Sequence, residues 1–337
     1  MEQDRRTFLK TSAIIGAAAM TGAAPTQTAA QSRTTGAPGE LKGVTLCTLR
    51  RETGYGLGVR TERGILDVAA AEQDLREGAP TTIDAVFDGS RDNAALTRLV
   101  DKVKSGTGAD RYLVAEQKAA FGPCVTRPEK IVCIGLNYRK HAAETGQPVP
   151  KEPILFNKFN TCLNNSGGTI AVSEMPAEQF DYEAELVIVI GRRARDVSEA
   201  DALNYIFGYA TGNDFTARDL QRRSSQWMLG KACDGFGPVG PWLVTAEQVD
   251  GDNLNIECKV NGQVRQSSNT KDMVFNCKQL VSYISKTVTL KPGDLIFTGT
   301  PEGVISGYPK DKQVWLKPGD RLVTSIERLG DLEFTLT

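Results

Sequence analysis

Acidic side chains immediately precede one of the most apolar segments of the sequence. Asp181, Glu183 and Glu185 alternate with two other residues, and the run 186–190 that follows is entirely aliphatic. In a β-strand successive side chains point to opposite faces, so these three acids are expected to share one face. The aliphatic run predicts a strand that is buried on both sides. A row of carboxylates beside such a strand is unfavourable unless a cation meets it.

The simplest alternative is a strand end that emerges into water with three solvated acids. A second segment favours a metal site instead, because the predicted strand 205–215 contains two glycines and carries Asp214 near its end. Glycines allow another backbone to approach closely. Glu183, Glu185 and Asp214 would then form a three-carboxylate site with positions left for water and substrate. Carboxylate oxygens suit Mg²⁺ or Mn²⁺, with Ca²⁺ as an alternative.

The sequence contains one histidine, His141, which excludes a multi-histidine metal site. On the predicted helix 138–144, His141 and Glu144 lie three positions apart and face the same way. A carboxylate beside an imidazole fixes its tautomer and raises its basicity, as a general base requires. The alternative is a surface pair without function. The position after a predicted buried strand, 130–135, favours the catalytic interpretation.

Two further segments could bind an anionic substrate. Lys231 is flanked by glycine and apolar residues, and its ammonium group could bind a carboxylate or an enolate. The segment 298–303 could present hydroxyl and backbone N–H groups to an anion. Their alternatives are one surface lysine among many and a plain turn. Neither segment is specific by itself.

Local patterns predict an α+β fold rather than a doubly wound parallel sheet, because strands and helices do not alternate regularly. Residues 41–125 are expected to form a small α+β domain of three strands and three helices. A larger domain, 126–337, is expected to contain strands, a hairpin turn at 261–262 and an amphipathic helix at 273–286. Strands are also predicted at 295–298 and 321–329, each after a Lys-Pro-Gly-Asp turn.

The composition narrows the class of protein. The 337 residues carry a formal net charge of −1, so no basic excess indicates a nucleic-acid partner. Seven cysteines occur singly, without a Cys-x-x-Cys pair, which argues against a disulfide framework and against a zinc-thiolate site. Beyond the N-terminus, no apolar stretch is long enough to cross a bilayer.

The N-terminal segment has the pattern of an export signal. Two arginines, Arg5 and Arg6, precede Thr-Phe-Leu-Lys and a mild apolar run that ends in small residues. Residues 1–30 therefore resemble a twin-arginine signal peptide, and 31–40 a flexible linker. The alternative is a frayed basic helix. We expect an exported, periplasmic protein without a membrane span in its mature form.

Taken together, the segments resemble the fumarylacetoacetate hydrolase family over about residues 128–337. The matching motifs occur in the family's order: Gly135-Leu136-Asn137-Tyr138 with His141 and Glu144, Asp181-Tyr182-Glu183-Ala184-Glu185-Leu186, Asn213-Asp214-Phe215-Thr216-Ala217-Arg218-Asp219-Leu220-Gln221, Gly230-Lys231 and Gly299-Thr300-Pro301-Glu302-Gly303-Val304.

The resemblance implies a β-rich catalytic domain of the mixed β-sandwich roll type, commonly a homodimer. It implies Glu183, Glu185 and Asp214 as ligands of Mg²⁺ or Mn²⁺, and the His141–Glu144 pair as the group that activates water or transfers a proton. Asp181 matches the motif but is not assigned as a ligand. Substrate contacts are implied for the following residues: Arg218, Gln221, Lys231 and Thr300.

The resulting hypothesis is a metal-dependent hydrolase that cleaves a C–C bond in a small 2-oxo or enol carboxylic acid similar to an acylpyruvate. His141, oriented by Glu144, would activate the water, and Lys231 with the cation would stabilise the departing enolate. Isomerisation, decarboxylation of an oxo-diacid or a lyase step on ureidoglycolate could use the same site. An exported dicarboxylate-binding protein without catalysis is a further alternative, against which the intact catalytic residues count.

Overall fold

The computed structural model describes residues 41–106 and 108–337. The predicted export signal at 1–30 and the linker at 31–40 lie outside the described residues. The strands are β1 (Thr45–Arg50), β2 (Tyr55–Thr61), β3 (Gly64–Asp67), β4 (Leu113–Val114), β5 (Ile131–Gly135), β6 (Ile154–Lys158), β7 (Leu163–Asn164), β8 (Gly168–Ile170), β9 (Phe180–Asp181), β10 (Ala184–Ile190), β11 (Ile206–Asn213), β12 (Thr216–Ala217), β13 (Gly237–Pro238), β14 (Leu243–Thr245), β15 (Asn255–Val260), β16 (Gln263–Asn269), β17 (Leu295–Phe297), β18 (Arg321–Ile326) and β19 (Gly330–Leu336). The helices are α1 (Val68–Leu75), α2 (Ile83–Phe87), α3 (Asn93–Ser105), α4 (Arg139–Glu144), α5 (Arg218–Gln221), α6 (Met228–Lys231) and α7 (Cys277–Ser285).

Ten strands form one sheet in the order β4-β3-β2-β1-β14-β11-β10-β17-β5-β6. Its neighbouring strands are antiparallel except for the pair β17 and β5. The predicted α+β class is therefore confirmed. Strands β1 to β4, from the predicted N-terminal domain, extend the same sheet that carries β10 and β11. The division into domains at residues 125 and 126 stays a prediction.

Strand β10 lies near the middle of this sheet, and all seven of its residues are buried. Leu186, Ile188 and Ile190 pack into a core with apolar side chains of β15, β18 and β19. Val187 and Val189 face the opposite core, which they share with β1, β2 and α3. Burying each such side chain contributes about 1.5–3 kcal/mol relative to exposure. The predicted strand with two buried faces is thus present, and it anchors the acids at its start.

A second sheet of five strands, in the order β16-β15-β18-β19-β8, packs over one face of the first. Its β15–β16 hairpin turns at Asn261 and Gly262, whose φ angles are 51° and 79°. Two consecutive positive φ values are typical of the type I′ turn that Asn-Gly sequences favour. The predicted hairpin is therefore confirmed.

Two predicted elements have different bounds in the structure. The helix expected from residue 273 begins at Cys277, because Asn276 and Gln279 form reciprocal side-chain-to-backbone hydrogen bonds that fix the helix start. The strand expected at 321–329 ends at Ile326. The chain then turns through Arg328, with φ 65°, into β19, which pairs antiparallel with β18.

Within the ranges that the structure describes, no helix combines the length and the apolar character that a bilayer crossing requires.

Candidate active site

Two antiparallel strands bring the three predicted metal ligands together. Glu183 immediately precedes β10, Glu185 is the second residue of β10, and Asp214 follows the end of β11. Glu185 is the register partner of Gly212, and the backbone N–H of Asp214 donates to the carbonyl of Glu183 at 2.8 Å. One carboxylate oxygen from each acid lies within 4.8 Å of the others. Residues that are far apart in the sequence thus form one acidic cluster.

The cluster is buried, and its charges interact strongly. Glu183, Glu185 and Asp214 are 5%, 1% and 0% exposed. Burial alone would raise the pKa of Glu183, but the nearby Lys231 and Arg218 lower it below its ordinary value. Burial raises the pKa of Glu185 well above its ordinary value, and the negative charges of Asp214 and Glu183 raise it further. Cationic neighbours thus favour the charged form of Glu183, whereas burial and the other two acids disfavour the charged form of Glu185.

This donor set fits a hard divalent cation. Asp214 Oδ1 is buried and has the ammonium group of Lys158 as its neighbour, with Nζ 2.6 Å away. Glu185 Oε2 accepts from the backbone N–H of Gly299 at 2.8 Å, which fixes the orientation of its carboxylate. Mg²⁺ and Mn²⁺ prefer carboxylate oxygens and are commonly held by a few acids with further positions left for water or substrate.

Two buried lysines flank the cluster. Lys231 Nζ donates to Glu183 Oε2 at 2.6 Å and to Asp214 Oδ2 at 2.7 Å. Burial would lower the pKa of Lys231, but Asp214 and Glu183 raise it above its ordinary value, so the side chain stays charged. Lys158, on β6, pairs with Asp214 and also donates to the backbone carbonyls of Phe215, Lys231 and Phe236. It therefore holds a predicted metal ligand and the backbone of Lys231 in place.

The His141–Glu144 pair forms on helix α4, as the spacing predicts. His141 Nδ1 lies 2.8 Å from Glu144 Oε1, and the other carboxylate oxygen accepts from the backbone N–H of Gly303 at 2.8 Å. Among the described residues, His141 Nε2 has no hydrogen-bond partner. A protonated Nδ1 that donates to Glu144 leaves Nε2 as the basic nitrogen.

Glycine at position 307 makes room for this arrangement. A Cβ atom added to Gly307 would lie 2.5 Å from Glu144 Cδ, far inside normal contact distance. The close approach of this turn to Glu144 therefore depends on the absence of a side chain there. The turn and the dyad form one packed unit.

A single cavity of about 870 Å³ connects the dyad with the acidic cluster. That volume lies within the range typical of small-molecule sites. Glu183 lines the cavity, and the carboxylates of Glu185 and Asp214 each have an oxygen within 4.8 Å of its own. The cavity is lined by these predicted site residues: His141, Glu144, Glu183, Arg218, Gln221, Lys231 and Thr300.

The predicted substrate contacts differ in how free their polar groups are. Each of the three nitrogens of the Arg218 guanidinium has a polar neighbour. Nε donates to Asp181 at 2.8 Å, Nη1 donates to Gln221 at 3.1 Å, and Nη2 lies 2.6 Å from Glu183. The Thr300 hydroxyl accepts from Gln266 Nε2 at 2.8 Å and remains able to donate. The roles of Arg218, Gln221, Lys231 and Thr300 toward a substrate stay predictions.

Sequence reasoning missed several residues of this site. Lys158 is the most important, and its signal was available, because it follows the apolar stretch 154–156 and precedes Phe159. The same kind of flanking sequence drew attention to Lys231. Trp227 and Tyr308 also line the cavity, and nothing in their local sequence marks them. Asp181 does not belong to the acidic cluster, and its carboxylate instead accepts from Arg218 and from the backbone N–H groups of Ile305 and Ser306.

The comparison with protein families decides the relationship. Residues 130–337 match the family model described as fumarylacetoacetate (FAA) hydrolase, C-terminal. The chain belongs to the fumarylacetoacetate hydrolase family. The resemblance expected from the motifs is thereby confirmed, and all predicted site residues lie within the matched range.

Relatives of known name share much of the chain. The fumarylacetoacetate hydrolase domain-containing protein 2 homolog of Dictyostelium discoideum is 48% identical over 217 residues, which cover 61% of this chain and 70% of that protein. The mitochondrial oxaloacetate tautomerase of Xenopus laevis is 42% identical over 230 residues, covering 67% and 71%. The sequence thus resembles family members of differently described activity.

Solved structures agree with this assignment. A fumarylacetoacetate hydrolase from Exiguobacterium antarcticum matches with a TM-score of 0.70 and 28% identity, covering 87% of this chain and 99% of that one. A fumarylpyruvate hydrolase from Pseudomonas aeruginosa, solved with Mn²⁺ and pyruvate, matches with a TM-score of 0.56 and 32% identity, covering 63% and 91%. The acidic cluster and this manganese complex together favour a divalent-metal enzyme of this family.

Proposed function

We propose that this chain catalyses the keto–enol tautomerisation of a small 2-oxo dicarboxylic acid, with oxaloacetate as the first substrate to test. One observation carries the proposal: a single imidazole, oriented by Glu144, opens onto the same cavity as Glu183 and Lys231. Tautomerisation needs only one well-placed base that removes and returns a proton. Two observations support the choice of substrate, namely the name of the Xenopus relative and the cationic Lys231 in the cavity.

Glu183, Glu185 and Asp214 would hold a divalent cation, which supplies Lewis-acid polarisation of substrate oxygens when it is bound. The protein's own groups do the rest. Lys231 offers an ammonium group to an anionic oxygen of the substrate. The low exposure of the acids and of Lys231 keeps water from screening this attraction, so it acts more strongly than at a surface.

The proton transfer balances without a co-reactant. His141 Nε2 takes a proton from C3 of the keto acid, and the C3–H electron pair becomes the C2–C3 double bond. The imidazolium returns this proton to the oxygen on C2, which completes the enol and restores the neutral imidazole. Glu144 stabilises the imidazolium formed in between, since its carboxylate lies beside Nδ1. Positioned general-base catalysis of this kind contributes about 10²- to 10⁴-fold.

Hydrolysis of an acylpyruvate is the second candidate, and the fumarylpyruvate hydrolase match favours it. In that reaction His141 removes a proton from water, and the water oxygen attacks the distal carbonyl. The C–C bond then breaks, its electron pair forms an enolate on the pyruvate portion, and a proton completes pyruvate. The same dyad and the same Lys231 serve both reactions, so the substrate decides between them.

The test is a product assay with purified protein, with and without Mg²⁺ or Mn²⁺. Oxaloacetate tautomerisation is followed by the ultraviolet absorbance of the enol, and acylpyruvate cleavage by the release of pyruvate. The proposal predicts metal-dependent enol–keto exchange that chelation abolishes. Cleavage of acylpyruvates without tautomerisation would replace the first candidate by the second. Stoichiometric binding of both acids without turnover would support the dicarboxylate-binding alternative.

We also propose export of the protein and assembly into a homodimer. Export rests on the Arg5-Arg6 motif and the apolar run after it, and the homodimer on the family resemblance. Cell fractionation tests export by comparing the full chain with a double variant, Arg5→Lys and Arg6→Lys. If the arginine pair directs export, the variant is expected to stay in the cytoplasm. Sedimentation equilibrium tests the dimer, and a single monomeric species would exclude it.

A further inference from the structure

Asp181 is a fully buried acid that belongs to neither the triad nor the dyad. Its exposure is 0%, and all four of its hydrogen-bond acceptor positions are used. Oδ1 accepts from the backbone N–H groups of Tyr182 at 3.0 Å and Ile305 at 2.8 Å. Oδ2 accepts from Arg218 Nε at 2.8 Å and from the backbone N–H of Ser306 at 3.0 Å. One carboxylate thus joins a side chain to a turn from a distant part of the sequence.

The first branch from Asp181 leads to the acidic cluster. Arg218, held at Nε by Asp181, places Nη2 2.6 Å from Glu183 Oε1. Asp181 therefore fixes the guanidinium and shares its charge, so Glu183 does not pair with Arg218 alone. Without the negative charge of Asp181, the arginine would be drawn more strongly to Glu183. A cation at the triad would then compete with Arg218 for that carboxylate.

The second branch leads to the dyad. The segment 303–307 is held at Ile305 and Ser306 by Asp181, and its first residue, Gly303, donates to Glu144. Tyr182 supports the same segment, because its hydroxyl donates to the carbonyl of Gly303 at 2.9 Å. The position of Glu144 therefore depends on a turn that Asp181 anchors. Glu144 in turn orients His141.

We propose that Asp181 is a positioning residue that couples the geometry of the acidic cluster to that of the His141–Glu144 dyad. For its catalytic consequence the inference rests on the proposed function, but both branches can be measured without a substrate. Asp181 has no contact with the base itself. It acts through Arg218 on one side and through the segment 303–307 on the other.

A matched control exists in Asp294. It is equally buried, and its carboxylate accepts from the backbone N–H groups of Lys130 and Lys291, each at 2.8 Å, with Lys130 Nζ 3.0 Å away. Its partners include a basic side chain and a turn, as for Asp181, but neither leads to the cavity. Asp181→Asn and Asp294→Asn therefore remove the same charge from comparable surroundings.

Two substrate-free measurements test the coupling in untagged protein. Calorimetry gives the affinity for Mg²⁺, and NMR gives the ring nitrogen and proton signals of His141, which is the chain's single histidine. Asp181→Asn is expected to weaken Mg²⁺ binding by about 10- to 100-fold, as is typical for the loss of an outer partner of a metal ligand. It is also expected to shift the His141 signals. Asp294→Asn is expected to lower thermal stability and to change neither readout.

Two further variants separate the branches and remain informative if Asp181→Asn does not fold. Tyr182→Phe removes the bond to Gly303 and the 3.4 Å contact with the Tyr308 hydroxyl, but no contact of Asp181 or Arg218, so it should shift the His141 signals and leave Mg²⁺ affinity unchanged. Arg218→Lys removes the guanidinium that bridges Asp181 and Glu183, so it should change Mg²⁺ affinity. Unchanged Mg²⁺ affinity in both Asp181→Asn and Arg218→Lys, or unchanged His141 signals in both Asp181→Asn and Tyr182→Phe, would overturn the coupling. Absence of turnover in the wild type would count against the proposed function alone.

Discussion

The acidic cluster and the turn at 291–294 each bury an aspartate completely, but the groups that surround its negative charge differ. Asp294 has a backbone N–H donor for each oxygen and a lysine beside it. Asp214 lies between two lysines, with Lys158 Nζ 2.6 Å from Oδ1 and Lys231 Nζ 2.7 Å from Oδ2, and two glutamates lie within 4.8 Å. An acid that stabilises a turn is satisfied by its own neighbours. Three buried acids grouped around one point, one of which resists ionisation, indicate a place for a cation.

The largest expected effect comes from exchanging the two aspartates for asparagine. Asp214→Asn should weaken Mn²⁺ binding by more than about 100-fold, beyond the range for outer partners of metal ligands, and abolish metal-dependent turnover. Asp294→Asn should leave Mn²⁺ affinity unchanged and lower the free energy of unfolding by about 1–3 kcal/mol, because backbone donors lose a charged acceptor. Calorimetry and chemical denaturation measure both. Equal Mn²⁺ affinity in the two variants would remove the distinction between the sites.

The next effect separates catalysis from metal binding. His141→Ala should lower turnover by about 10²- to 10⁴-fold, the usual contribution of a general base. Mn²⁺ affinity should stay unchanged, because His141 lines the cavity but is not one of the clustered acids. Steady-state kinetics and calorimetry on the same preparation provide the comparison. Full turnover in the variant would exclude the dyad from the mechanism.

Lys158 and Lys130 allow a second comparison of the two regions, since each pairs with one of the two buried aspartates. Lys158→Met should weaken Mn²⁺ binding by about tenfold, because it removes the support of a metal ligand and of the backbone at Lys231. Lys130→Met should reduce stability without this effect. Calorimetry on both variants decides the matter. If the two lysines affected Mn²⁺ affinity alike, Lys158 would have no special relation to the site.

The smallest effect is a dependence of metal affinity on pH. In the metal-free protein the pKa of Glu185 is raised well above its ordinary value by burial and by the neighbouring acids. A carboxyl group must lose its proton to bind a cation. Mn²⁺ affinity should therefore rise as pH rises toward this elevated pKa and level off above it, with release of up to about one proton per ion. Calorimetry in buffers of different ionisation enthalpy measures the proton count, and a pH-independent affinity without proton release would contradict the shift.

The acidic cluster could be predicted because the aliphatic run indicates a buried strand. The alternation of side chains then places Glu183 and Glu185 on the same side of the chain. The His141–Glu144 contact could be predicted because helical spacing is a local property. The family resemblance supplied the order of the remaining motifs. Each of these signals depends on residues close in sequence or on a recognised pattern.

Other features depend on packing that no local pattern encodes. The four groups that contact Lys158 belong to residues that lie far from it in the sequence. Asp181 is bound by Arg218 and by a turn more than a hundred residues away in the sequence, which local alternation of side chains does not reveal. The full engagement of Arg218 by three neighbours likewise appears only in three dimensions. The extension of the central sheet by β1 to β4 also requires long-range pairing, which sequence spacing alone did not indicate.

The most direct test of the metal site is anomalous diffraction from crystals grown with Mn²⁺. If the three acids hold the metal, one strong peak is expected within about 2.5 Å of carboxylate oxygens from Glu183, Glu185 and Asp214, on the side that faces His141. A peak elsewhere, or none at the three acids at saturating Mn²⁺, would contradict this assignment.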